Sequence, residues 1–263
     1  MNDRIFSKIS LVAIALMMAG CGGTGPSSLP AAQSPTAQAS STNEQVQSEA
    51  AAMQPHPAVL DTSPATASAT PAPIVVHYGG IVGLDNTFSP VDGDTSSGGN
   101  GSTIDGVPCD NSKIPYHFHA HVSLLINGQR LAIPDAIGLH YPGTEKNGQT
   151  FATICYYHIH THDATGLIHI EASAKTTFRL GQLFAVWGRP LSSSNVAGHS
   201  GTVKAFVATA RTPGYAEKTG PFSPYTANLQ QLQFTSHQEI VLEVGPTYVY
   251  PPNIPAIVFP TYQ

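Results

Sequence analysis

Two short histidine runs hold the residues of this chain best suited to chemistry. They are His117-Phe118-His119-Ala120-His121 and His158-Ile159-His160-Thr161-His162-Asp163, the second followed by His169-Ile170-Glu171. Eight of the chain's twelve histidines lie between Tyr116 and Glu171, so the side chains are concentrated rather than scattered. On an extended strand, residues two apart project from one face, and each run is then a row of imidazoles. Neutral imidazole is the commonest metal ligand and suits zinc and copper. Two on one strand can chelate an ion, and a third donor from a neighbouring strand completes a site. The candidate ligands are His117, His119, His121, His158, His160, His162, His169 and Glu171, with Zn or Cu as the ion. That is more than one ion needs, so some members are expected to orient the others. Glu171 and Asp163 are also candidate general bases, should a coordination position stay open. For His56, His77, His140, His199 and His237, which stand outside the rows, a surface or hydrogen-bonded role is the simpler reading.

Strands must position these rows. Residues 116–126 alternate, with Phe118, Ala120, Val122, Leu124 and Ile126 on one face and His117, His119, His121 and Ser123 on the other. Asn127-Gly128 then supplies a two-residue type I′ turn. A return strand through Leu131 and Ile133 places Leu124 opposite Leu131 and Val122 opposite Ile133. Pro134 ends it, which leaves His117 and His119 extending past their hairpin partner. A long loop over 140–149 is expected next, then a second hairpin of residues 152–162 with 167–172, closed by Asp163-Ala164-Thr165-Gly166. In that register His160 faces His169 and His158 faces Glu171, with Cβ atoms about 5 Å apart. Leu180, Leu183, Phe184 and Trp187 fall at helical spacing before Gly188 and Pro190, so residues 180–187 read as a short helix plugging the core. Residues 203–210 and 239–245 read as further strands, and 246–263 as an extended wrap.

The chain has 263 residues, a formal net charge of −5 and only 10 % charged residues. No basic patch stands out, and nucleic acid is not an expected partner. Arg4 and Lys8, the apolar run Ile9–Met18 and small residues before Cys21 read as an export signal over residues 1–20. The run is too short to span a bilayer. Met18-Ala19-Gly20-Cys21 resembles the lipobox of bacterial lipoproteins. The resemblance implies cleavage before Cys21, lipidation of its sulfur and a membrane anchor. Gly22 after the cysteine implies the outer membrane, facing the periplasm. Residues 21–73, rich in Ser, Ala, Thr, Pro and Gln, read as a disordered tether. Residues 74–105 read as an irregular lead-in, with a short strand possible at 74–78, and 106–263 as the folded domain. With Cys21 lipidated, Cys109 and Cys155 remain, and in an oxidising compartment a disulfide is the expected state. Thiolate ligation of the metal is the alternative.

Several known metal folds share a few residues with this chain. Cys155-x-x-His158 is similar to part of a blue-copper set, the His-x-His rows to cupins, and His-Phe-His to α-type carbonic anhydrases. A copper/zinc dismutase sandwich shares a β scaffold, His-x-His ligands and a disulfide. Each similarity stops there; methionine, the usual axial ligand of blue copper, is absent after Met53. A longer resemblance is to a group of uncharacterised bacterial exported proteins. These carry a His-x-His-Ala-His strand ending in Asn-Gly, a Cys…His-Thr-His-Asp-x-(Ser/Thr)-Gly-x-Ile-His-(Ile/Val)-Glu run and a Leu-Gly-Gln-x-Phe-x-Val-Trp-Gly segment. Here these are His117–Gly128, Cys155–Glu171 and Leu180–Gly188. The resemblance implies a shared fold and site and hands over no activity. His160, His162, His169 and Glu171 fall within its motif, whereas His158 is an addition.

These readings converge on an all-β or β-dominated antiparallel sandwich or barrel-like domain with one short helix. The expected function is that of a lipid-anchored envelope protein concerned with metal sequestration, delivery or sensing. A metal-dependent hydrolytic or redox enzyme and a structural envelope lipoprotein are the alternatives.

Overall fold

The computed structural model describes residues 70–91, 93–210 and 219–261. The expected signal over 1–20, the lipidation site Cys21 and the tether up to residue 69 lie outside the described residues.

Two short strands come first, β1 (Ile74–Val75) and β2 (Cys109–Asp110). The long strand β3 (Tyr116–Ile126) follows, then β4 (Gln129–Leu131), β5 (Leu139–Lys146), β6 (Gln149–Tyr157), β7 (Ile159–His160) and β8 (Leu167–Ala172). Helix α1 (Leu180–Trp187) precedes β9 (Asn195–Val196), β10 (His199–Ser200) and β11 (Val203–Thr209). The last strands are β12 (Ser223–Tyr225), β13 (Gln238–Val244) and β14 (Ile257–Val258). The protein is β-dominated, as expected, and its sheets do not close into a barrel. The main sheet runs β12-β11-β13-β3-β8-β7, with β4 also paired to β3. Its ladders are antiparallel except for β13 on β3, which is parallel.

The alternation along β3 decides what each face of the sheet meets. Phe118, Ala120, Val122 and Leu124 enter the main core with Ile168 and Ile170 of β8. Helix α1 covers that core with Leu180, Leu183, Phe184 and a fully buried Trp187. Burying each such side chain is worth roughly 1.5–3 kcal/mol. The other face of β3 carries His117, His119, His121 and Ser123 and is covered as well. Val76, Leu167, Ala210, Ile257 and Phe259 form one apolar patch on it, and Leu125, Phe206, Val241 and Ile254 another. His119, His121 and Ser123 are therefore buried between apolar patches, while His117 at the end of the row is exposed.

The β3–β4 hairpin follows the expected register, with Ile126 opposite Gln129 and Leu124 opposite Leu131. Asn127 and Gly128 have φ of 52° and 79°, as a type I′ turn requires. Val122 does not pair with Ile133. Its N–H donates instead to Gly166 O at 2.9 Å, and from His121 to Tyr116 the partner is β8. Gly166 permits that approach, because a Cβ there would lie 2.4 Å from Val122 O. Residues 140–149 are not a loop. They form β5 and the turn into β6 at Asn147-Gly148, with φ of 54° and 75°. Most of β5 is exposed, so no apolar alternation announces it. Strand β6 pairs with β5 and β2, which reduces the second histidine hairpin to β7 on β8.

The folded unit also reaches further N-terminally than residue 106. β1 pairs in parallel with β14, and Asp94 forms an ion pair with Arg189 at 2.8 Å. Thr95, fully buried, donates to Val186 O at the end of α1. Polar contacts of this kind leave no hydrophobic pattern in the sequence.

Cys109 and Cys155 form a disulfide, with Cα atoms 5.5 Å apart, that fastens β2 to β6. Thiolate ligation is thereby excluded for both. The bridge spans 46 positions of chain, and a loop of that size is worth about 2–4 kcal/mol through the unfolded state. A Cys109→Ser/Cys155→Ser variant is expected to lose that amount in urea unfolding followed by circular dichroism.

Candidate metal centre

The pairing of β3 with β8 and of β8 with β7 brings the two histidine rows together. His119 lies opposite His169, His117 opposite Glu171, and His160 opposite His169 from the other side. Strand β8 is the middle of three, so its two donors are flanked by imidazoles on both edges. Two groups result that could hold a metal ion: His160, His162, His169 and Glu171, and His117, His119 and His169. His169 belongs to both. In the first group His160 Nε2 and His162 Nε2 are 3.1 Å apart, and His169 Nδ1 is 3.6 Å from Glu171 Oε1. Glu171 Oε2 lies 3.9 Å from His160 Nε2. In the second, His119 Nε2 is 3.1 Å from both His117 Nε2 and His169 Nδ1. A metal–nitrogen bond of about 2.0–2.1 Å places tetrahedral ligands about 3.3–3.4 Å apart, so these separations suit donors around an ion.

Backbone groups aim the rings. His160 Nδ1 donates to Tyr157 O at 2.8 Å and His162 Nδ1 to Thr150 O at 2.6 Å. Between them Thr161 points the other way, its N–H donating to Ile137 O and its hydroxyl to Pro134 O. That clamp sets the separation of the two rings. Phe151 packs on His162, and Tyr156 packs on both His160 and His162.

Burial keeps these imidazoles neutral. It pushes His119 down to about 2, helped by the nearby His169 and His117. His160 and His169 are held well below the ordinary histidine value by burial and then by His162, and His162 is lowered by its own burial. A neutral ring with its proton on Nδ1 has only a lone pair on Nε2. The Nε2 atoms of His160 and His162 thus face each other at 3.1 Å as two acceptors without a donor. A cation between them removes that conflict.

Not every candidate joins the centre. His121 is fully buried, with Nδ1 2.6 Å from Glu239 Oε2 and Nε2 2.8 Å from Thr165 O, which leaves neither nitrogen for an ion. It belongs to a separate polar row in which Ser123 donates to Glu239 and Arg130 reaches Ser123. His158 shares its strand parity with His160, but the chain breaks its strand there. Its Nε2 turns to Asp110 Oδ2 at 3.2 Å instead of joining Glu171. Asp163 is not placed as a general base. It is buried, accepting from Gly79 N at 2.8 Å and from Thr165 N at 3.2 Å, and so shapes the turn before β8. His140 Nδ1 donates to Gly98 O at 2.6 Å, away from both groups.

Four contributors carry no mark in the sequence. Tyr157 O and Thr150 O are backbone atoms, and Asp110 and Glu239 lie far along the chain from their histidines. Tyr78 stands edge-on to His119 with ring centroids 6.1 Å apart, and His237 N donates to His119 O at 2.7 Å. Comparison with protein-family models, with curated proteins and with solved structures found no match.

Two outcomes are expected. A histidine depressed in the folded state stays neutral where the unfolded chain takes up a proton, so metal-free stability falls as pH drops below about 6.5. Each of His119, His160, His162 and His169 contributes up to about 1.4 kcal/mol per pH unit there, and nothing above about pH 7.5. Urea midpoints measured in chelator between pH 8 and pH 5 check this, and a flat profile would refute it. Separately, His121→Gln is expected to lower stability by about 1–3 kcal/mol while leaving metal stoichiometry at the parental value, read by elemental analysis after dialysis.

Proposed function

We propose that this is an envelope protein, anchored through lipid on Cys21, that binds a transition-metal ion for sequestration, delivery or sensing. The observation that carries the metal reading is the opposed Nε2 pair of His160 and His162, each with its other nitrogen committed to a backbone carbonyl. The donor set argues for Zn2+ or Cu2+. It is nitrogen-rich with one carboxylate, whereas Mg2+ and Ca2+ prefer all-oxygen shells. His160, His162, His169 and Glu171 form the inner set, and His117 and His119 are a second group that shares His169. The first four are also the residues that fall within the motif of the exported proteins this chain resembles.

Retention suits this arrangement. The ligand rings are already neutral and almost fully buried, so protons compete weakly for them under mildly acidic conditions. A second reading, metal-dependent hydrolysis, is favoured by one feature: a cavity borders Glu171 and His162. A water molecule on the ion would then face Glu171.

Untagged protein isolated from periplasm-exposed membrane is expected to carry close to one Zn or Cu per chain. His160→Ala/His162→Ala is expected to reduce that at least tenfold. Free ion at 100 times its dissociation constant should stabilise the metal-free parent by about 2.7 kcal/mol. Metal-free protein whose melting temperature ignores both ions overturns the reading. Cys21→Ser should release the protein to the soluble fraction, and continued membrane association would refute the anchor.

A further inference from the structure

His158 is the one histidine of the two rows that neither the metal groups nor the His121 row takes up. Two neighbours hold its ring. Nε2 lies 3.2 Å from Asp110 Oδ2, and its ring stands edge-on to Phe178. Asp110 presents Oδ2 because Oδ1 accepts from Ser112 N at 2.9 Å. The Asp110 side chain is 37 % exposed and that of His158 12 %, so the pair sits at the surface. Asp110 and His158 line a cavity of about 330 Å3 whose wall also includes His162 and Glu171, two of the four inner donors. The backbone keeps these groups close, since Glu171 N donates to His158 O at 2.9 Å. Asp110 itself is held by pairing with Tyr156, next to the Cys109–Cys155 disulfide.

The inner donors have a loading problem. His160, His162 and His169 are nearly inaccessible, and an aqua ion must shed water before it reaches them. A carboxylate at the mouth of the cavity can take an ion that keeps part of its water, and an imidazole beside it replaces one water at little cost. The hydrogen bonds from Ser112 hold the Asp110 carboxyl below its usual range and so keep it charged. Glu171 is the other carboxylate on the wall of the same cavity.

We propose that Asp110 and His158 form a capture site for a hydrated divalent transition-metal ion, from which the ion passes along the cavity to Glu171 and His162. This rests on the metal reading of the buried groups. It assigns a role to the histidine that lies outside the shared motif, and to the disulfide that fixes Asp110 beside it. The pair speeds loading and does not set the final affinity.

The test is stopped-flow loading of chelator-stripped, disulfide-intact full chain with Co2+ or Cu2+, followed by ligand-field absorption. Asp110→Asn and His158→Gln are each expected to slow loading about tenfold at low metal, within the range by which charged clefts accelerate encounter. Final stoichiometry and final spectrum should match the parent. Equal melting temperatures of the metal-free proteins exclude a folding defect, and His158→Ala serves as a second variant. Loading at the parental rate overturns the capture site and leaves the buried centre standing, with the exposed edge of His117 as the route. A lower final stoichiometry overturns it too, by making the pair ligands of the centre. A parent that takes up no ion overturns both proposals.

Discussion

The centre depends on one constraint: a buried imidazole whose Nδ1 proton is tied to a main-chain carbonyl has a single lone pair, aimed where the backbone directs it. Tyr157 O and Thr150 O impose this on His160 and His162. Burial removes the alternative of protonating the rings. Desolvation of an unpaired polar group costs about 1–3 kcal/mol, and here two such atoms face each other. The fold tolerates that cost because the same strands hold an apolar core on their other face.

That division of faces explains why one strand can serve both ends. β3 gives Phe118, Ala120, Val122 and Leu124 to the helix-covered core and His117, His119, His121 and Ser123 to the opposite side. The polar face is itself divided. Near β8 the partners are imidazoles and Glu171, and the outcome is a candidate ion site. Near β13 they are Glu239 and Glu243, and the outcome is a buried charged row with Arg130, in which His121 pairs with Glu239. His119 and His121 differ in fate only because a different neighbour stands beside each.

The periphery is arranged around the same face. The β1–β14 pair covers part of it with Val76, Ile257 and Phe259, and the β5–β6 arm brings Phe151 and Tyr156 over His160 and His162. The disulfide holds β2 against that arm, so Asp110 meets His158 at the cavity mouth.

Alternation and turn chemistry determined β3, its Asn127-Gly128 hairpin, helix α1 and the facing of His160 and His169, because period, turn type and short-range register are local properties. The β-dominated class follows from the same patterns. Only the tertiary structure decided that β8 lies between β3 and β7, and that His121 is diverted to Glu239. It alone placed His158 on Asp110 and tied the Asp163 carboxylate to Gly79 N. A period of two tells which face a residue occupies and not which strand lies beside it. The acceptors that orient His160 and His162 are carbonyl oxygens, which every residue has and no residue type reveals.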